Sequence, residues 1–432
     1  MSTENKYAII GGGPAGLSAA KNLKEQGIPF DAYEAAEDLG GLWNINNKNS
    51  TVYESAHLIS SKRMTEFADF PMKEEVADYP HHSEMLAYFK DYANHFGLYD
   101  HYTFNTKVER LEPVGDKWSL TTDKGDTKVY KGIIIANGCL SCPNYPNIPG
   151  KFEGEILHSC DYKSPKIFEG KRVLVVGAGN SGCDIVVDSV HRAKSTDLSV
   201  RRGYHFVPKY VFGKPADTMG GAIKIPKAFK PKFDKWLLST FFVVDPQKLG
   251  FPKPDHELYE SHPIVNTLVL YHLGHGDITI QKDVERYEGK TVYFKDGTSK
   301  EYDLILLATG YKLNYPFIDK KHLNWPDNLK APQLYLNIFT PQHSNLFVLG
   351  MIEATGLGWE GRNQMAKLVA NYIKLKDTHP DKAEKFTKKF QTQMPDMRGG
   401  YKYMDVDRMA YYVHKDTYLN LMKKNIHQLE SA

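Results

Sequence analysis

Cysteine is scarce in this sequence, with four among 432 residues. That is too few for a disulfide framework, so a secreted, cross-linked scaffold is excluded and a reducing, cytoplasmic setting is the expectation. Long apolar runs are missing too. Leu304–Ala308 and Ile133–Ala136 are typical of the longest, and both fall far short of the ~20 residues a membrane-spanning helix needs. The opening MSTENKYAIIGGG lacks the basic-then-apolar pattern of a signal peptide, and the closing NIHQLESA is no tail anchor. No membrane span is therefore expected. Charge of one sign is lacking as well: 55 Lys and Arg oppose 52 Asp and Glu, a net of +3. Such a balance creates no overall field to attract nucleic acid or an anionic membrane surface. What is present is an ordinary globular composition, 41% hydrophobic and 12% aromatic. It excludes global disorder and suits roughly two to four domains.

Glycine carries the first chemical signal. The apolar run Lys6–Ile10 is followed by Gly11, Gly13 and Gly16 in G-x-G-x-x-G spacing, then by a helical stretch ending at Gly27, then by a second apolar run closing in Glu34. In this strand–turn–helix–strand pattern the glycines serve a tight turn, close backbone approach to a pyrophosphate and helix–strand packing. The helix N-terminus offers free N–H groups to phosphate, and an acid at the end of the next strand can take ribose hydroxyls. A second copy begins at Arg172–Val176, with Gly177, Gly179 and Gly182 and a helix starting at Asn180-Ser181. Here the following strand ends in Arg201-Arg202. Guanidinium groups bind a 2′-phosphate through forked hydrogen bonds where a carboxylate would repel it. The first site is thus expected to prefer a free ribose and the second to accept NADPH. Two such folds in one chain are the pattern of a flavoprotein that holds FAD in one and receives a hydride from NADPH in the other. The fold class expected is α/β, with two dinucleotide-binding, Rossmann-like domains. The NADP domain is inserted into the FAD domain: residues 1–165 and 277–432 would form the FAD part, and 166–276 the NADP part. An irregular insertion near 204–262 carries Trp236 and Phe241-Phe242, which suit either a substrate wall or lid, or packing of a surface excursion. Beyond Asp377 a charged helical tail is expected.

Several motifs then resemble the flavin-containing monooxygenase family. Phe152, Gly154, His158 and Tyr162 match its F-x-G-x-x-x-H-x-x-x-[YF] signature, Gly40-Gly41-Leu42-Trp43 its G-G-L-W, and Ala308-Thr309-Gly310-Tyr311 its A-T-G-Y. Gly179–Asp184 resembles the NADP fingerprint, and the stretches Val52–Ser55 and Phe67–Met72 also align. The likeness covers about residues 5–375. It implies that Gly11, Gly13, Pro14, Ala15, Gly16, Glu34, Gly41, Leu42, Trp43, Ser60, Val108 and Thr309 lie on the FAD side. Gly177, Gly179, Asn180, Ser181, Gly182, Asp184, Arg201 and Arg202 would lie along NADPH. His158 and Tyr162 would support the nicotinamide nucleotide and the domain junction. The activity implied is insertion of one oxygen atom from O2 into a soft nucleophile, an amine nitrogen or a sulfide sulfur, through a flavin C4a-hydroperoxide, with no metal and no side-chain nucleophile. A homodimer is a further family-level expectation. One position departs from the pattern. Where the family has an Asn near the V-Y-x-S segment, this sequence has Ile59, with His57, Ser60 and Ser61 as neighbouring polar groups.

Other readings stay open on sequence. Cys139-x-x-Cys142 invites a disulfide-reductase function, in which electrons pass from flavin to a dithiol, although the pair sits in a Gly- and Pro-rich exit loop. Baeyer–Villiger oxygenation of ketones is the closest alternative, and Tyr162 stands where such enzymes usually carry a Trp variant of the signature. An uncoupled NADPH oxidase and a non-catalytic redox sensor complete the set.

Overall fold

The computed structural model describes residues 3–219 and 229–432. Tyr7–Ile10 is apolar without alternation, and all four residues are buried. Such a strand is stable only with both faces covered, as in a parallel sheet. It lies at the centre of five parallel strands ordered Leu346–Val348, Gly132–Ile135, Tyr7–Ile10, Phe30–Tyr33, Tyr102–Thr103. Alternate side chains serve different layers. Tyr7, Ile9, Ala32 and Phe347 pack against the helices Pro14–Glu25 and Gly358–Thr378. Ala8, Ile10, Ile133 and Val348 pack against an antiparallel meander, Val108–Val114, Lys117–Thr122 and Thr127–Tyr130, through Val108, Trp118 and Leu120.

The second fold repeats this plan. Its five parallel strands are ordered Glu155–His158, Leu304–Leu307, Arg172–Val176, Ser195–Ser199, Ile278–Gln281. Val173, Val175 and Leu306 face the helices Asn180–Ser189 and Leu268–His275. Leu174, Val176 and Ile305 face a second meander, Val284–Gly289, Thr291–Phe294 and Ser299–Glu301. A turn at Asp296-Gly297, a dipeptide that favours tight hairpins, joins the last two of these strands.

The pairing corrects the boundaries expected near 165 and 276. Glu155–His158, Ile278–Gln281 and Leu304–Leu307 pair within the second sheet, and Gly150–Phe152 pairs with Val284–Gly289 of the second meander. The second unit therefore runs from about Gly150 to Leu307. An apolar run such as Leu304–Leu307 reads equally well as a strand of either sheet, and only its two neighbours decide. The chain crosses between the units twice, and the crossings pair with each other as an antiparallel ribbon, Cys142–Pro143 with Tyr311–Lys312.

The region beyond Asp377 is helical, at Pro380–Thr392 and Lys415–Glu430, but it is no free tail. Phe386, Phe390, Tyr418, Met422 and Ile426 join the core of the first fold. Phe390 stacks on Phe339 at 5.0 Å, and the Tyr418 hydroxyl donates to the Leu336 carbonyl. In the insertion, Trp236 and Phe241 lie on the helix Lys230–Phe241 and face solvent. They do not form an enclosed substrate wall. Residues 220–228 of that insertion lie outside the described residues.

Candidate functional site

Each glycine turn is built by close backbone contact. Gly11 has a left-handed φ of +112°, and a Cβ there would stand 2.5 Å from the Ala136 carbonyl oxygen. A Cβ on Gly16 would lie 1.8 Å from the Gly11 carbonyl oxygen, so only glycine lets helix and strand meet. The second turn matches it: Gly177 has φ +105°, 2.5 Å from the Ala308 oxygen, and Gly182 would come within 1.9 Å of the Gly177 oxygen. The middle glycines differ in kind. A Cβ on Gly13 would meet nothing nearer than 3.5 Å, and one on Gly179 nothing within 4 Å. These two leave open space beside the turn. Both cap their helices without a side-chain hydrogen bond, which leaves N-terminal N–H groups to bind phosphate. Pro14 opens the first helix, and Ala15 is buried beneath Gly350.

Glu34 closes the first turn. Its Oε2 accepts from the Gly12 N–H at 2.5 Å and its Oε1 from the Ala36 N–H at 2.8 Å. Burial pushes its carboxyl above the ordinary value against the pull of these backbone donors. Val108, expected on the FAD side, is buried at the start of the meander. Gly40 and Gly41 both have positive φ. The Gly40 N–H donates to the Gly12 carbonyl, and a Cβ on Gly41 would stand 2.9 Å from the Gly13 Cα. Leu42 and Trp43 then reach across to the core of the second fold, while Trp43 also meets Trp359 edge-on at 6.1 Å. The G-G-L-W motif thus joins the first turn to the second fold.

Arg201 is exposed at the end of the second strand, and the half-buried Arg202 guanidinium donates to the Met404 sulfur at 3.7 Å and helps to lower the Asp255 carboxyl. Neither forms an ion pair among the described residues. The turn residues expected along NADPH divide. Ser181 is exposed. Asn180 and Asp184 instead use their side chains within the protein: Asn180 clasps the Pro263 carbonyl and the Val265 N–H. Asp184 accepts from Tyr53 at 3.0 Å and from Asn266 at 2.5 Å. One turn further along, Asp188 accepts from the Tyr162 hydroxyl at 2.8 Å and from Ser55. Burial raises both carboxyls, and these donors oppose it. The V-Y-x-S segment and the last residue of the 152–162 signature are therefore bolted to the second glycine helix. Sequence reading missed this clamp, because its partners lie up to 133 residues apart.

His158 is fully buried. Its Nδ1 accepts from the Cys160 N–H, and its ring meets Tyr145 and Tyr311. Burial lowers its basicity. The Gly310 carbonyl opposes that, though Nε2 completes no hydrogen bond. It is a neutral packing residue at the crossover. Thr309 donates to the Asn144 carbonyl at 2.6 Å and ties the two crossing strands. Cys139 donates to the Gly350 carbonyl, and burial pushes its thiol up to about 12. Such a thiol yields little thiolate at neutral pH. Near Ile59, His57 is exposed and bonded to the Ser55 carbonyl, and Ser60 pairs with Thr65 at 2.8 Å. Ser61 alone keeps a buried hydroxyl with no partner, while its N–H donates to Asp217 of the insertion.

A further cluster went unread because its members are scattered. Arg408 pairs with Glu353 at 2.8 Å, and His262 meets Tyr412, which meets Thr355. Burial pushes His262 down to about 3, so it is neutral. Burial works to raise Glu353, but Arg408 and Arg362 hold it below its ordinary value. Buried polar atoms without partners gather around the first turn: Tyr102 Oη beside Gly16, Asn137 Oδ1 beyond the strand Gly132–Ile135, and Trp359 Nε1 beside Trp43. Buried donors and acceptors are normally satisfied. Together with the open face of Gly13 and the uncapped helix, they fit a bound FAD. The open face of Gly179 and the unpaired Arg201 fit NADPH.

Comparison with known proteins agrees with this geometry. The family model described as flavin-binding monooxygenase-like matches residues 4–428. The chain is 29% identical over 418 residues to flavin-containing monooxygenase 5 of Oryctolagus cuniculus, covering 90% of this chain and 77% of that one. It is 30% identical over 378 residues to dimethylaniline monooxygenase [N-oxide-forming] 2 of the same organism, covering 81% and 70%. Among solved structures, the open form of cyclohexanone monooxygenase superposes with a TM-score of 0.73 at 20% identity, covering 99% of this chain and 97% of that one.

Proposed function

From the premise that this chain belongs to the flavin-binding monooxygenase-like family, we propose that it transfers one oxygen atom from O2 to an amine nitrogen or a sulfide sulfur of a small molecule, at the expense of NADPH. The observation that carries this reading is the pair of superimposable glycine turns whose next strands end in opposite charge, Glu34 in one and Arg201-Arg202 in the other. The bound flavin and nicotinamide supply the redox chemistry. The chain supplies binding, spacing and dryness. N–H groups at the two helix N-termini take the pyrophosphates. Glu34, already fixed by Gly12 and Ala36, presents its remaining lone pairs to a ribose. Arg201 presents an unpaired fork to a 2′-phosphate. Tyr53 and Tyr162, anchored on Asp184 and Asp188, hold the turns at one separation. Trp43 and Trp359 form an apolar wall that excludes water from the space between.

The test is oxygen uptake coupled to NADPH, with a tertiary amine and an organic sulfide as substrates and isotopically labelled O2. A product carrying one labelled oxygen supports the proposal. Recovery of every NADPH electron as hydrogen peroxide would overturn it. Ketone oxygenation is the second reading, favoured by a fold shared with cyclohexanone monooxygenase over nearly the whole of both chains. An ester formed from a ketone, with no N- or S-oxide, would replace the first reading by the second. The proposal also includes a cytoplasmic location, suited to four free cysteines, and a homodimer, which the family resemblance implies and sedimentation would check.

A further inference from the structure

Among the described residues, one group of imidazole and carboxylate side chains brings three ligand atoms within 4.8 Å of one another: His272, His275 and Asp277. The chain's own geometry assembles it. His272 and His275 stand about one turn apart in the helix Leu268–His275, so they share a face. Gly276 takes the left-handed conformation, with φ +81°, and ends the helix. The Asp277 N–H then donates to the His272 carbonyl at 2.9 Å, which folds the chain back over the last turn. Ile278 fixes the other side, as the first residue of the edge strand Ile278–Gln281. The group is therefore built into a joint between helix and sheet. Asp277 Oδ2 stands 2.9 Å from the His272 Nδ1 and 3.7 Å from the His275 Nδ1. The His272 ring is only 17% exposed. It meets His191 edge-on at 5.7 Å and His275 at 6.1 Å.

We propose that His272, His275 and Asp277 bind one Zn2+ ion, through two imidazole nitrogens and one carboxylate oxygen. A hydrogen-bonded cap at this helix end would need one imidazole. Here a second imidazole nitrogen stands beside the same oxygen, too far for a hydrogen bond. Ligand atoms of a tetrahedral Zn2+, about 2.0–2.2 Å from the ion, stand about 3.4 Å from each other. The two distances in this group fall on either side of that value. On binding, the His272 proton shifts from Nδ1 to Nε2, and Nδ1 offers its lone pair to the ion. Two nitrogens and one oxygen suit Zn2+, whereas Mg2+ and Ca2+ call for more oxygen ligands than the group has. The negative pole of the helix dipole lies at this end and adds attraction for a cation. His275 and Asp277 are exposed, which leaves the ion a path of entry and a position for water. Bound there, the ion fastens the helix Leu268–His275 to its sheet. Asn266, just before this helix, holds Asp184 of the clamp, so the ion braces the second unit. This inference stands apart from the proposed reaction.

The experiment is isothermal titration calorimetry of the untagged, full-length holoprotein, treated with a chelator and dialysed, against Zn2+ and in parallel against Mg2+. One equivalent of Zn2+ per chain is expected, with no saturable binding of Mg2+. His275→Ala removes the most exposed of the three side chains, at 67%, so its fold and its NADPH oxidation rate should be unchanged. It should lower the Zn2+ affinity by at least about tenfold, no less than the loss of a group that merely orients a ligand. Asp277→Asn should lower it by a similar factor, because a neutral amide is a poor zinc ligand. Zn2+ should also raise the unfolding temperature of the parent and leave that of His275→Ala in place. The absence of saturable Zn2+ binding, binding that either variant leaves intact, or equal binding of Mg2+ would each overturn the proposal.

Discussion

The two glycine turns share a skeleton and part at the ligand. Both place a left-handed glycine against the carbonyl of a neighbouring strand, both pack a third glycine so closely that a Cβ on it would stand within 2 Å of the first one's oxygen, and both leave the middle glycine open. The difference lies one strand later. The first turn closes on a buried carboxylate held by backbone N–H groups, and the second leaves the Arg201 guanidinium exposed. On the proposed function, backbone geometry sets what class of ligand is bound, and one or two side chains at a strand end set which member. The largest predicted effect tests the shared half. Gly16→Ala and Gly182→Ala each place a methyl against a backbone oxygen that cannot rotate away. Each should lose about 3 kcal/mol or more in denaturant unfolding, at the upper end of overpacking costs. Gly13→Ala and Gly179→Ala, with room for a Cβ, should keep the apoprotein's stability and weaken FAD and NADPH binding respectively. Equal destabilisation by all four would refute the division of labour between the glycines.

The unshared half is broken by charge. Arg201→Ala should raise the KM for NADPH by about 10- to 100-fold, the worth of a charge-assisted hydrogen bond. It should leave kcat and the KM for NADH nearly unchanged, because NADH has no phosphate for it to hold. Steady-state kinetics with both nucleotides decide this. An equal rise in both KM values would mean that Arg201 acts on the fold and not on the 2′-phosphate.

How far the sequence foretold this comparison depends on the range of the interaction. The glycine turns, Glu34, Arg201-Arg202 and the G-G-L-W motif were legible, since their chemistry is fixed by residues a few positions apart. The limits of the second unit were not, because Glu155–His158 and Leu304–Leu307 declare their sheet only by pairing across some 150 residues. The C-terminal helices were legible, but their place in the first core was not, for a related reason. Their lysines dominate the composition, while Phe386, Phe390 and Met422 supply a narrow apolar stripe that fills the first core. Asp184 was assigned to the nucleotide because the motif runs through it. Its partners Tyr53 and Asn266 lie 131 and 82 residues away. That clamp gives the third prediction. Tyr162→Phe removes one donor from the half-buried Asp188 carboxylate and should cost about 0.5–1.5 kcal/mol of stability. In a double-mutant cycle with Asp188→Asn it should be non-additive by at least about 0.5 kcal/mol, and additive values would show that the two side chains do not act as a unit.

The smallest expected effects are those of pH, and they run in opposite senses in the two folds. Glu34 has a carboxyl raised by burial. Its folded form holds a proton more tightly than its unfolded form, so its contribution to stability is greatest below the ordinary carboxyl pKa and is lost as pH rises through the raised value. Asp303 is the reverse. The Arg172 guanidinium and N–H, which belong to the second glycine strand, hold its carboxyl well below the ordinary range. Its contribution is present at neutral pH and disappears as pH falls below the unfolded value. The pair is partly exposed, which limits it to about 1 kcal/mol or less. Unfolding of Asp303→Asn against the unsubstituted chain should therefore show a gap that is constant at neutral pH and closes on acidification. For Glu34→Gln the stability of the variant relative to the parent should rise with pH across the acid range and then level off. Parallel slopes for the two substitutions would mean that the two acids share one electrostatic role, and the contrast between the turns would end at the ligand instead of extending into the fold.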